Sequence, residues 1–104
     1  MDNKFGLLQE DIDAIISILK SEDAIEQAII FGSRAKGNYK NGSDVDIAIK
    51  GEKVNINTIT HILYLLNEET IMPYKFDILN YNTITNQALM EHIDRVGQIL
   101  YSPL

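Results

Sequence analysis

The spacing of apolar residues divides the chain into short segments of two periods. Ile12, Ile15, Ile16 and Leu19 recur at three- and four-residue intervals, which predicts a helix over residues 9–22. Ala28-Ile29-Ile30-Phe31 is a brief β-prone apolar run that stops at Gly32, the pattern of a buried strand. Residues 33–37 predict a short helical turn, and the segment NYKNGS at 38–43 carries turn chemistry. Residues 44–50, DVDIAIK, alternate polar and apolar and predict a second strand, ended by Gly51. Ile59, Ile62, Leu63 and Leu66 form the buried stripe of a helix capped by Asn55 or Asn57 and running to about Glu68, and Pro73 blocks its continuation. A third strand over 75–80, KFDILN, precedes a helix over 85–96 with Gly97 at its C′ position. Ile99-Leu100-Tyr101 predicts a short edge strand.

This order, α-β-α-β-α-β-α with a last edge strand, implies an α/β (α+β) fold in which helices flank a small mixed sheet. The 104 residues are read as one domain, 1–104, without internal repeats. A hydrophobic content of 45% supports a real but modest core, and leaves room for a second copy or a partner to cover apolar surface. There is no cysteine, so disulfides and thiolate metal sites are excluded. The apolar runs are too short to span a bilayer, and the N-terminal segment lacks a leader pattern, so the expectation is a cytoplasmic protein without a membrane partner. The formal charge of -6 argues against a nucleic-acid surface, which needs clustered Lys and Arg, and suits docking onto a basic protein. Arg34, Lys36 and Lys40 do cluster, but in a number that suits one triphosphate rather than a duplex.

Strand alternation gives the acidic residues a geometry. In residues 44–49, Val45, Ile47 and Ile49 point into the core while Asp44, Asp46 and Ala48 point the other way. The two carboxylates then lie side by side, about 7 Å apart at their Cα atoms. Such a pair repels itself unless a cation sits between, and hard oxygen ligands suit Mg²⁺. Taken alone, Asp-x-Asp is most often just a solvated strand end. The preceding Phe31-Gly32-Ser33-Arg34-Ala35-Lys36-Gly37 changes that reading. Gly32 allows close approach of backbone to a phosphate, Ser33 and the amides after it offer donors, and Arg34 and Lys36 add positive charge. Asp77, between Phe76 and Ile78, is costly in an apolar strand unless it binds metal or pairs with Lys75 or Lys53.

Gly32-Ser33-Arg34-Ala35-Lys36-Gly37 followed by Ser43-Asp44-Val45-Asp46-Ile47 resembles the signature of the DNA polymerase beta-like nucleotidyltransferase superfamily, in its minimal stand-alone (MNT) branch. The likeness extends to the closing Gly97-Gln98-Ile99-Leu100-Tyr101. It implies two Mg²⁺ ions, both held by Asp44 and Asp46 and one also by Asp77, with ATP as substrate. It implies catalytic roles for Asp44, Asp46 and Asp77, and nucleotide binding by Gly32, Ser33, Arg34 and Lys36. The chain ends soon after the third strand and one helix, so the acceptor is expected to come from another molecule. The resemblance supplies a candidate: a helical partner of the HEPN or nucleotidyltransferase substrate-binding kind, encoded alongside, in an assembly whose stoichiometry is open between homodimer and heterotetramer. The implied reaction is AMP transfer to a hydroxyl side chain of that partner, a tyrosine above all, by the antitoxin of a toxin–antitoxin pair. The competing class is an ATP-binding module that neutralises the partner by contact alone. An antibiotic-modifying enzyme acting by itself is a weaker third reading.

His61 and His92 fall in helical stretches and are expected in surface or cap roles. Tyr39, Tyr74 and Tyr81 are candidates for stacking on adenine or for half-buried positions. Lys50 and Lys53 read as a solvated face.

Overall fold

The computed structural model describes residues 4–40 and 42–103. Asn41 of the expected 38–43 turn, the first three residues of the N-terminal segment, and Leu104 lie outside the described residues. The elements are α1 (Gln9–Lys20), β1 (Gln27–Phe31), α2 (Gly32–Lys36), β2 (Val45–Lys50), α3 (Ile56–Glu68), β3 (Phe76–Asn80), a 3-10 turn (Tyr81–Thr83), α4 (Gln87–Val96) and β4 (Gln98–Tyr101). The expected order is the observed one, and the mixed α/β sheet with flanking helices is confirmed.

Several boundaries move for local reasons. Helix α1 ends at Lys20, because the Ser21 hydroxyl donates to the Ile18 carbonyl and closes the last turn. Asn55, not Asn57, caps α3: its side chain accepts from the Asn57 and Thr58 amides, and Thr58 Oγ1 accepts from the Asn55 amide in return. Helix α4 starts at Gln87, where the Asn86 side chain accepts from the Leu89 amide. Gly97 comes directly after α4 as expected but in extended, not left-handed, backbone. Glycine is required there for space: a Cβ would collide with the Ile93 carbonyl and the Ile29 side chain.

The strand order is β3-β2-β1-β4. β1 runs antiparallel to both β2 and β4, while β2 and β3 are parallel and joined through α3. The register sets Val45 beside Phe76 and Ile47 beside Ile78, with Ile47 also opposite Ile30. These residues form one face of the sheet, which packs with Ile12, Ile15 and Leu19 of α1 and Ile59, Ile62 and Leu66 of α3 in the main core. The other face carries Ile29, Phe31 and Ala48, covered by Ile93 of α4 with Leu79, Tyr81, Ile84 and Leu89 around it. That second cover is short. It seals Ala48 fully but leaves the start of β2 and β3 open, with Asp44 and Asp77 exposed.

Candidate active site

Strand β2 alternates as its parity predicts. Val45, Ile47 and Ile49 are buried in the main core, and Asp46 and Ala48 face α4. The register carries this alternation across the sheet, since Phe31 pairs with Asp46 and Asp46 pairs with Asp77. Directly paired residues share a face, so Asp46 and Asp77 stand on neighbouring strands about 4.8 Å apart. Asp44 precedes the first residue of β2 rather than lying within it. Asp44 and Asp77 both still act on Asp46. The Asp46 carboxyl is pushed up from an ordinary 3.8 to about 6, first by burial, then by the negative charges of Asp77 and Asp44, with Arg34 pulling it partly back. Asp77 is exposed rather than buried, and an ion pair with Lys75 or Lys53, the alternative to metal binding, is absent among the described residues.

The Gly32-Ser33 turn packs against this cluster. Gly32 has φ +75° and opens α2. A Cβ at Gly32 would run into the Asp46 carboxylate, so glycine is needed first for the approach of the turn to Asp46. Ser33 is half-buried beside it, and among the described residues none hydrogen-bonds its hydroxyl. Lys36 is exposed at the far end of α2.

Arg34 departs from expectation. Its side chain is only 4% exposed. Nε and Nη2 donate to the Ser43 carbonyl at 3.2 and 2.9 Å, and Nη1 donates to the carbonyls of Phe5 at 2.9 Å and Gly6 at 3.4 Å. The guanidinium also lies over the rings of Tyr39 and Tyr74, at 5.4 and 5.3 Å from their centroids. With these donors engaged by carbonyls, Arg34 clamps the N-terminal turn to the residue just before Asp44. That arrangement gives Arg34 a positioning role within the chain.

The tyrosines separate in the same way. Tyr39 and Tyr74 stack on Arg34, and the Tyr74 hydroxyl donates to Asp11 at 2.9 Å. Tyr81 sits past the opposite end of β3, bonded to Asp94 and lying under Lys50 Nζ at 4.3 Å. Of the two histidines, His61 pairs with Glu22 on the surface, as expected. His92 does not stay on the surface. Its Nε2 accepts a hydrogen bond from the Gly32 amide at 3.2 Å, and its ring meets Phe31 edge-on. Helical spacing carried a signal for this contact: His92 lies three residues after Leu89 and adjoins Ile93, so it falls along the buried stripe of α4, where a polar ring needs a partner.

The donor set fits Mg²⁺. It consists of carboxylates, one of them held at a raised pKa by burial and by its acidic neighbours, a cost that a divalent cation would relieve. Among the described residues no group of three His, Asp or Glu side chains is set as a metal cage.

Comparison with known proteins agrees with this architecture. No curated protein sequence matches the chain significantly. Among solved structures, a toxin–antitoxin complex with AMP-PNP superposes with a TM-score of 0.72 at 20% identity, covering 91% of this chain and 74% of the other. A MntA–HepT toxin–antitoxin structure gives 0.68 at 16%, covering 91% and 73%. A Shewanella oneidensis structure, a tri-AMPylated HEPN toxin in complex with MNT antitoxin, gives 0.68 at 17%, covering 90% and 71%. At these identities the likeness is one of fold. The family model described as "Polymerase beta, Nucleotidyltransferase" matches residues 13–103, which take in the Gly-Ser turn and every one of the three aspartates. The chain therefore belongs to the polymerase beta nucleotidyltransferase family.

Proposed function

We propose that this nucleotidyltransferase transfers AMP from ATP to a hydroxyl side chain, a tyrosine above all, of a HEPN-type helical partner, as the cytoplasmic antitoxin of a toxin–antitoxin pair. The observation that carries the reading is the row of Asp46 and Asp77 beside the Gly32-Ser33 turn, with Asp44 close enough to act on Asp46. It is supported by two folds of the same kind, one in a complex with AMP-PNP and one bound to a HEPN toxin that carries AMP.

Asp44, Asp46 and Asp77 would hold Mg²⁺, which when bound supplies charge neutralisation at the phosphates and a lowered pKa at the acceptor hydroxyl. The remaining work falls to the chain's own residues. Ser33 donates its hydroxyl to an outer phosphate oxygen, and the exposed Lys36 adds positive charge from the end of α2. Asp77, exposed at the open end of the sheet, accepts the proton of the incoming hydroxyl. The acceptor oxygen bonds to the α-phosphorus as the bond to pyrophosphate breaks, in line. Arg34 holds Ser43, and through it the start of β2, so that Asp44 keeps its place beside Asp46.

The test is incubation of the chain with ATP, Mg²⁺ and the helical protein encoded beside it, and then measurement of the intact mass of that partner. The expected result is a gain of one or more AMP groups with wild type and none with Asp44→Asn, which stays folded. An unmodified partner with active wild-type protein would overturn AMP transfer. Neutralisation in cells that survives Asp44→Asn unchanged would favour contact alone.

A further inference from the structure

The geometry points to His92 as a positioning residue: its imidazole, by accepting the Gly32 N–H, fixes the Gly32-Ser33 turn at the distance from Asp46 that nucleotide binding requires. The inference rests on the reading of that turn as a phosphate subsite and adds a residue from α4 to it.

The two residues are 60 positions apart in sequence, and α4 packs on the open face of the sheet beside the carboxylates. Gly32 stands between two constraints. On one side its Cα abuts the Asp46 carboxylate so closely that a methyl group would not fit. On the other its amide is held by His92 Nε2 at 3.2 Å. The backbone between is left-handed at φ +75°, a conformation glycine holds weakly by itself because it has others equally open to it. An acceptor on a rigid helix removes that freedom. The imidazole also stands in a T-shaped arrangement with the ring of Phe31, the residue that precedes Gly32 and pairs with Asp46. Since Nε2 accepts, the neutral ring carries its hydrogen on Nδ1. The arrangement also turns the Gly32 N–H toward α4, leaving phosphate contacts to Ser33 and the amides after it.

Glutamine and asparagine separate this role from simple packing. A Gln side chain places its Oε1 near the position of Nε2 and can accept the same N–H, whereas Asn is one methylene too short. Affinity for ATP with Mg²⁺, measured by titration calorimetry on the whole chain, is expected to fall about tenfold in His92→Asn and His92→Ala and to stay within about threefold of wild type in His92→Gln, consistent with one lost hydrogen bond in a half-open site. The Gly32 amide, monitored by NMR hydrogen exchange, is expected to be protected in wild type and His92→Gln and to exchange freely in the other two. Equal ATP affinity in all four proteins would overturn the inference, and so would a His92→Gln variant as weak as His92→Ala while both remain folded. Wild-type protein that binds no ATP would sink the phosphate-subsite reading instead, and the exchange of the Gly32 amide would still decide whether His92 holds the turn.

Discussion

The two faces of one four-stranded sheet have been put to opposite uses. Beneath α1 and α3, Val45, Ile47, Ile49, Phe76 and Ile78 are sealed into the main core. Beneath α4 the same two strands carry Asp46, Ala48, Asp77 and Leu79, and the cover stops short of the aspartates. Alternation along β2 and β3 makes both outcomes from adjacent residues, so a side chain's role is set by one step along the chain. Burial on the closed face stabilises the fold. On the half-open face it is incomplete, and the charge left uncompensated there is what the nucleotide and its cation are proposed to neutralise.

The two faces should come apart most clearly at Ile47, fully buried between the strands and the helices of the closed face. Ile47→Ala removes its packing and leaves a cavity, and is expected to cost about 4 kcal/mol in urea denaturation. Transfer per folded molecule should be nearly unchanged, since the side chain lies in the main core on the face away from Asp46. A comparable loss of transfer in the folded fraction would mean that the two faces are not separable. Arg34 is the next largest effect and joins the faces. Arg34→Met keeps much of the stem between Tyr39 and Tyr74 but strands the carbonyls of Phe5 and Ser43, at an expected cost of about 3 kcal/mol. It also removes a nearby cation that holds the Asp46 carboxyl down, so transfer is expected to fall along with stability.

The closed face was legible in the sequence because periodicity reports burial directly. The stripes of α1 and α3 and the alternation of β2 predicted Ile12, Ile15, Leu19, Ile59, Ile62, Leu66, Val45, Ile47 and Ile49 of the main core, with Ile16 and Leu63 packed at its edge. The carboxylate row was half legible. Parity gave the face of Asp46, opposite Val45 and Ile47, but Asp44 precedes the strand, and the pairing of Asp46 with Asp77 depends on the register of a parallel strand pair, which periodicity does not contain. Arg34 and His92 have partners that periodicity does not disclose, for a related reason. A guanidinium beside a Gly-Ser turn suggests a phosphate ligand, and only the fold brings the carbonyls of Phe5 and Ser43 to it. A histidine in a helix suggests a surface or cap role, and only the placement of α4 over Gly32 shows which amide it meets. Local sequence states what a side chain can do, and long-range contacts decide which partner it meets.

The smallest expected effect is also the one that separates the faces by sign. The Asp46 carboxyl titrates at about 6 in the folded chain against an ordinary 3.8. Between those values the folded state keeps a proton that the unfolded state has released. Stability therefore falls as pH rises from about 3.8 to 6, and levels off above it. Asp46→Asn removes that titration. In the absence of divalent cations it is expected to be more stable than wild type by about 1 kcal/mol at pH 7.5, a value reduced from the full shift because water reaches the half-open site. The advantage should vanish at pH 4, where wild-type Asp46 is protonated too. Millimolar Mg²⁺ should then stabilise wild type at pH 7.5 and leave Asp46→Asn nearly unmoved, because only the charged site gains from binding. Urea denaturation of both proteins at the two pH values, with and without Mg²⁺, tests all of this. A difference between them that is the same at pH 4 and pH 7.5 would show that the charge on Asp46 costs the fold nothing, and that the open face is no more strained than the closed one.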